Sequence, residues 1–196
     1  FSGTDSRGIN GIAYILRGTS YGDVRILTGD SGAPDLMDIY GVGDVRGAAN
    51  MVGTAQGYPT MLGKYPSMNG EDNVTLFRVE EMHLIAAETS LRAGNAADAL
   101  SYLNNIPAIR GLGADYYASA TLENILEERR KEFAFEGLRF HDLSRMGMDM
   151  PSVDPFKQTN DDLTGTPPAY GSYRYAYPIA LSERNANPNM VQNYGY

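Results

Sequence analysis

The sequence predicts a mainly α-helical fold, built from a helical hairpin and further helices joined by long irregular loops. Three observations predict it. Apolar residues recur at helical spacing through residues 74–136. That region is punctuated by Gly94-Asn95 and by Pro107, residues that end one helix and begin the next. Elsewhere the chain is rich in turn formers, with 22 glycines and 10 prolines among 196 residues.

Residues 1–73 read as loop-rich. Short apolar pieces at 12–16 and 24–27 could be strands or buried coil. Tyrosines 14, 21, 40, 58 and 65 are scattered through this region. A tyrosine offers a flat apolar face with a hydroxyl, which suits a sugar ring as well as a protein core. Arg17 stands between Tyr14 and Tyr21, and an arginine flanked by aromatics suits a polar, ring-bearing ligand. Tyr14, Arg17 and Tyr21 are therefore the candidate ligand contacts.

A first helix is expected over 74–93. Val79, Met82, Ala86 and Thr89 mark one face, and Leu84, Ala87 and Leu91 another, which predicts a helix sandwiched between neighbours. Gly94 should stop it and Asn95 should cap the next helix. In that second helix Ala96, Ala99, Leu100, Leu103 and Ile106 follow helical spacing, and Pro107 is expected to end it. The pair, with Ala87, Gly94, Ala99 and Leu100 in register, resembles a tetratricopeptide hairpin.

The third helix carries the densest charge, in the run 121–145, TLENILEERRKEFAFEGLRFHDLSR. Thr121 is a natural N-cap with Glu123 in the first turn. Leu122, Ile125, Leu126 and Phe133 make an apolar stripe, and Arg129 falls inside it. A charge on a buried stripe is costly unless paired. Arg129 is therefore expected in a structural ion-pair network with Glu132, Glu136 or acids of another helix. The alternative is a pair of catalytic carboxylates. The apolar stripe continues through the charges and no glycine-rich turn presents them, which favours the structural reading. Gly137 is expected at a helix end or a close approach.

Residues 146–172 return to loop. Tyr170, Tyr173, Tyr175 and Tyr177 then suggest a short extended segment with aromatics at period two. The asparagines and Gln192 of the tail are suited to satisfy their own backbone and that of facing loops, as a clamp. The expected organisation is a single region, 1–196, with a loop-rich stretch at 1–73, a helical core at 74–145 and a loop and C-terminal clamp at 146–196.

Composition excludes several functions. The net charge of −8 argues against nucleic acid as a partner. With no cysteine there is no disulfide, thiolate catalysis or zinc–thiolate site. His83 is not part of an H-E-x-x-H pattern, and only one other histidine exists. The acids near Asn73 lack the alternating spacing of a calcium loop, so neither metal nor cofactor is assigned. No apolar run approaches a membrane span.

Several runs resemble one family. Glu128, Arg129, Glu132, Phe133, Glu136, Gly137, Arg139, Asp142, Leu143 and Arg145 follow the ER-x-x-E-(L/F)-x-x-EG-x-R-x-x-DL-x-R signature of the SusD/RagB family, nutrient-binding outer-membrane lipoproteins of Bacteroidetes. Arg78, Glu81, Leu84, Ile85, Ala87 and Glu88 fit its R-x-x-E-x-x-LI-x-AE helix, and Leu103-Asn104 its L-N. Asp44-Val45-Arg46 and Lys64-Tyr65 occur in the family's order. The tail from Tyr177-Pro178-Ile179 to Gln192-Asn193 and Gly195-Tyr196 matches its terminus, with Ala180 in place of a proline. One departure is Ile106-Pro107-Ala108-Ile109-Arg110, which has one arginine where the family has I-R-x-R.

The resemblance implies a SusD-like, mainly α fold and a non-enzymatic role. The protein would bind glycan or peptide at the cell surface and deliver it to a SusC-like TonB-dependent transporter. It would be an outward-facing outer-membrane lipoprotein, touching the membrane only through an N-terminal lipid anchor absent from this chain. Phe1 resembles the end of the family's E-x-I-F strand, so the chain is expected to be a fragment of a larger α-superhelical protein. Two other functions are weighed against this. One is a tetratricopeptide-like scaffold that binds protein without a small ligand. The other is a glycoside hydrolase, which needs two carboxylates flanking a cleft.

Overall fold

The computed structural model describes residues 36–55, 58–61, 63–66, 72–73, 75–151 and 168–196. The chain falls into two compact units, Phe1–Glu136 and Gly137–Tyr196. The fold is mainly helical, as the sequence predicts.

In the first unit, α1 (Leu36–Ile39) is followed by a 3-10 turn at Val45–Gly47 and by a small antiparallel hairpin. Its strands β1 (Gly53–Ala55) and β2 (Tyr58–Thr60) pair with Gly53 opposite Thr60. Three longer helices follow: α2 (Val79–Arg92), α3 (Ala96–Ile109) and α4 (Leu122–Glu132).

The α2–α3 hairpin closes by a defined bond pattern. The Asn95 N–H bonds to the Ser90 carbonyl at 2.9 Å and the Gly94 N–H to that of Leu91 at 3.0 Å, the Schellman arrangement. Gly94 has φ +83°, which disfavours any residue with a Cβ. Asn95 then stands at the N-cap of α3, but its side chain makes no capping bond. Its φ/ψ of −89°/71° is not the extended cap conformation, so the expected Asn95 cap is corrected.

Three other expectations are corrected here. The first helix begins at Val79, not 74, because Arg78 is extended and its guanidinium reaches the Glu132 carboxylate at 2.5 Å. Pro107 lies buried inside α3, which runs on to Ile109. Its carbonyl accepts from both the Arg110 and Leu112 N–H groups and closes the helix end. Finally, α2 is not sandwiched. Leu84 and Ala87 are buried against α3 and α4, while Val79, Met82 and Ile85 remain 66%, 48% and 44% exposed.

The core of this unit is formed by Leu84, Ala87, Ala99, Leu103, Ile106, Ile125 and Phe133, where the three helices meet. A smaller cluster joins Leu36 of α1 to Met61 after the hairpin, with Tyr40, Met51 and Phe135 around them. The Thr121 hydroxyl accepts the Asn124 N–H at 3.1 Å and so caps α4. That helix buries four charged residues, Glu128, Arg129, Lys131 and Glu132. It ends at Glu132, and a turn leads to Gly137, whose φ is +80°.

The second unit contains α5 (Arg139–Arg145), a 3-10 turn at Tyr173–Tyr175 and α6 (Leu181–Ala186). The tyrosine segment is not extended, contrary to the period-two expectation. The Ser172 carbonyl accepts from Tyr175 at 3.0 Å and the Tyr173 carbonyl from Ala176 at 3.1 Å, which curls it into the turn. Among the described residues no helix is long and apolar enough to cross a membrane.

Candidate functional site

Two features compete for the role of site: the charges of α4 and a tyrosine-lined cleft in the second unit. The charges form a connected lattice. Glu132, at the last position of α4, accepts from Arg46 at 3.0 Å, Arg78 at 2.5 Å and Arg110 at 2.7 Å. Burial alone would raise its pKa. The Arg110 hydrogen bonds and the charges of Arg110, Arg78 and Arg46 outweigh that and hold it at about 2.

Arg46 links the lattice to the early loops. Its Nε and Nη2 fork onto the Asp44 carboxylate at 2.9 and 2.7 Å, and its Nη1 reaches Glu128 at 2.6 Å. Burial works against the charged guanidinium, but these carboxylates prevail and raise its pKa. Tyr117 donates to the second oxygen of Glu128 at 2.9 Å. Burial and the Glu128 charge push that phenol well above its ordinary pKa. The Lys131 ammonium, also buried, pairs with Glu127 at 2.7 Å and donates to the Tyr117 hydroxyl at 3.1 Å.

A third branch fixes the turn after α4. Lys64 Nζ donates to the Glu132 and Ala134 carbonyls, each at 2.9 Å, and to the Glu136 carboxylate at 2.5 Å. Burial lowers its pKa, with Glu136 opposing. The ammonium thus spends its three protons on three acceptors.

Glu132 and Glu136 are both reached by Arg78, at 2.5 and 3.4 Å. Arg129 pairs with Glu81, an acid of another helix, α2, at 3.7 Å and lies over the Phe133 ring at 5.2 Å. Arg46, Arg78 and Arg110, the three cations on Glu132, are not among the residues that helical periodicity identifies. They lie 86, 54 and 22 residues from it in sequence, beyond any local pattern. Only the short D-x-R and K-Y runs point toward Asp44, Arg46 and Lys64. Glu128 accepts from Arg46 and Tyr117, one on each oxygen, and Glu132 is bridged by three guanidinium groups. Through Glu132 the α4 charges reach Arg46 in the early turn, Arg78 ahead of α2 and Arg110 at the end of α3.

The second feature is a cleft of about 480 Å³, within the range of small-ligand pockets. Phe140, Tyr173, Arg174, Tyr175, Tyr177 and Tyr196 line it. Its walls are braced by ring contacts: Tyr173 against Tyr196 at 5.2 Å, Phe140 against Tyr175 at 5.6 Å, and Tyr170 against Tyr175 at 5.5 Å. Tyr177 is 86% exposed, so its ring is offered outward rather than packed.

The tail shapes this cleft through its amides. The Gln192 side chain accepts the Ile179 N–H at 2.8 Å and donates to the Ile179 carbonyl at 3.1 Å, as a neighbouring strand would. Asn193 Nδ2 donates to the Tyr177 carbonyl at 2.7 Å and the Tyr196 hydroxyl to that of Ala176 at 2.8 Å. Gly195, at φ +96°, brings the tail onto Tyr173 so closely that an added Cβ would lie 2.3 Å from the ring.

Tyr14, Arg17 and Tyr21 lie outside the described residues. The cleft tyrosines are visible in the sequence only as an alternating run; that Tyr196 joins them follows from the tail turning back. Among the described residues no group of His, Cys, Asp and Glu could hold a metal ion.

Comparison with known proteins agrees with this architecture. A sequence model of the SusD family matches residues 50–196. The starch-binding protein SusD of Bacteroides thetaiotaomicron is 32% identical over 142 residues, covering 72% of this chain and 24% of that protein. A solved SusD superfamily protein from Bacteroides vulgatus has a TM-score of 0.59 at 30% identity, covering 79% of this chain and 36% of the other. A putative sugar binding protein from the same species has a TM-score of 0.55 at 31% identity, covering 74% and 35%. The chain spans about a quarter of the length of the curated relatives it matches. With three quarters of its length matched in sequence and a like fold in the solved structures, the chain belongs to the SusD family.

Proposed function

We propose that this chain belongs to a cell-surface glycan-binding protein, an outward-facing lipoprotein of the outer membrane that delivers its ligand to a SusC-like TonB-dependent transporter. The observation that carries glycan binding is the braced tyrosine cleft with the outward ring of Tyr177. Flat aromatic faces bury the C–H faces of pyranose rings, and the phenol hydroxyls serve the sugar hydroxyls. The starch-binding relative and the sugar-binding neighbour support the same ligand class. Binding needs no covalent step.

A glycan array read with the purified protein, followed by calorimetry on the strongest hits, tests this. Saturable binding that leaves the glycan intact is expected. Absence of binding across the array, or cleavage of a bound glycan, would overturn it.

One observation favours a second reading, a tetratricopeptide-like scaffold for another protein: the exposed Val79, Met82 and Ile85 of α2. Replacing all three by serine leaves glycan binding unchanged if the cleft is the site. On the scaffold reading that variant loses a protein partner, and no glycan binds either form.

A further inference from the structure

Among the described residues that line the cleft there is one cation, Arg174, whose position the surrounding contacts do not explain. Arg174 lines the cleft between Tyr173 and Tyr175 and is half-buried. Among the described residues it makes no ion pair and no hydrogen bond. Arg46, Arg78 and Arg110 in the first unit contrast with it, since each is bridged to carboxylates within 3.0 Å. Among the described residues, no Asp or Glu side chain lines the cleft. A half-buried guanidinium without a partner carries a desolvation cost that an incoming anion relieves.

The aromatic walls and the cation together specify a ligand. The rings suit pyranose faces. A guanidinium presents a planar fork of donors that matches a carboxylate in two parallel hydrogen bonds. We propose that the cleft takes an acidic oligosaccharide, with Arg174 receiving the carboxylate of a uronate residue and the tyrosines receiving the sugar rings. This rests on the reading of the cleft as the glycan site and names its substrate class.

This chain carries a net charge of −8, which repels a polyanion at a distance. At physiological ionic strength that repulsion is screened beyond about 8 Å, so the charge lining the cleft decides binding at contact. A sulfate ester offers the same charge but not the planar carboxylate, and it separates simple charge attraction from recognition of the acid.

The experiment compares four probes by calorimetry at pH 7 and physiological salt: trigalacturonate, its trimethyl ester, maltotriose and a sulfated galactose trisaccharide. Trigalacturonate should bind at least tenfold tighter than its methyl ester, which has the same rings without the charge, and tighter than the sulfated sugar. Arg174→Gln should abolish the difference between acid and ester while leaving ester affinity within about twofold. Arg174→Lys should retain some of it. Melting curves of both variants check that the unit is folded.

Equal affinity for acid and ester, or an acid preference that survives Arg174→Gln, overturns the proposal and leaves the cleft as a neutral-glycan site. Tighter binding of the sulfated sugar overturns the assignment to a uronate. No binding of any probe to the parent protein overturns this proposal. If the array is also silent, the reading of the cleft as a glycan site falls with it.

Discussion

Arg46 donates to Glu128 at 2.6 Å across 82 residues of sequence, and both side chains are almost wholly removed from solvent. The bond ties the 3-10 turn at Val45–Gly47 to the middle of α4. It joins this early turn to the helices by charge, beside the apolar cluster of Leu36, Met61 and Phe135. Because the pair is buried, its removal is costly in a way that a surface pair's is not.

Arg46→Ala strands Glu128 and Asp44, whose side chains are fully buried. The loss should be about 3–5 kcal/mol, the cost of breaking a buried pair from one side. Arg129→Ala should cost less, because its ion pair with Glu81, at 3.7 Å and with Glu81 partly exposed, is longer and wetter than the pairs of Arg46. Urea titrations of the two variants, compared through their midpoints, give the order directly.

Stability should fall in acid along a defined course. The folded pKa of Glu132 is about 2, below its ordinary 4.5. The unfolded chain therefore binds the proton first as pH drops, and the stabilisation is present above about 4.5 and lost as pH falls toward about 2. The contribution at neutral pH is roughly 3 kcal/mol for a shift of that size. Tm measured from pH 6 down to pH 2 should drop most steeply in the lower half of this range. Glu132→Gln should start lower and show a shallower fall.

Two glycines should differ in what their substitution does. Gly94→Ala meets no atom within 4 Å, so the only cost is a left-handed backbone, about 1–2 kcal/mol, with ligand affinity unchanged. Gly195→Ala places a Cβ 2.3 Å from the Tyr173 ring and must displace either the tail or that ring. Glycan affinity should then fall at least tenfold. Melting curves and calorimetry on both variants separate the two outcomes.

Much of the helical region was legible because its signals are local. Thr121 caps α4, Gly94 ends α2, and the apolar spacing of Leu84, Ala87, Leu103, Ile106 and Ile125 marks residues that are buried. Pro107 misled because a proline near a helix end forfeits only one bond, and Arg110 and Leu112 still close on its carbonyl. Asn95 misled because the turn had already committed its backbone to the Schellman closure. The partners of Glu132 were out of reach for a different reason. A buried carboxylate announces that a cation is needed, but nothing local says whether Arg46, Arg78, Arg110 or Arg129 supplies it. The cleft was hidden likewise, since Tyr173 and Tyr196 meet only after the amides of Gln192 and Asn193 fold the tail back.

The division of labour between the tyrosine cleft and the α4 lattice is tested most directly by glycan affinity of Tyr177→Ala beside Glu132→Gln, using the strongest ligand from the array. Tyr177 is largely exposed, so its truncation should leave Tm unchanged and lower affinity at least tenfold, or about 1.4 kcal/mol. Glu132→Gln should lower Tm while its folded fraction binds as tightly as the parent. A stable Glu132→Gln protein that no longer binds, with Tyr177→Ala binding normally, would contradict the assignment and return the site to α4.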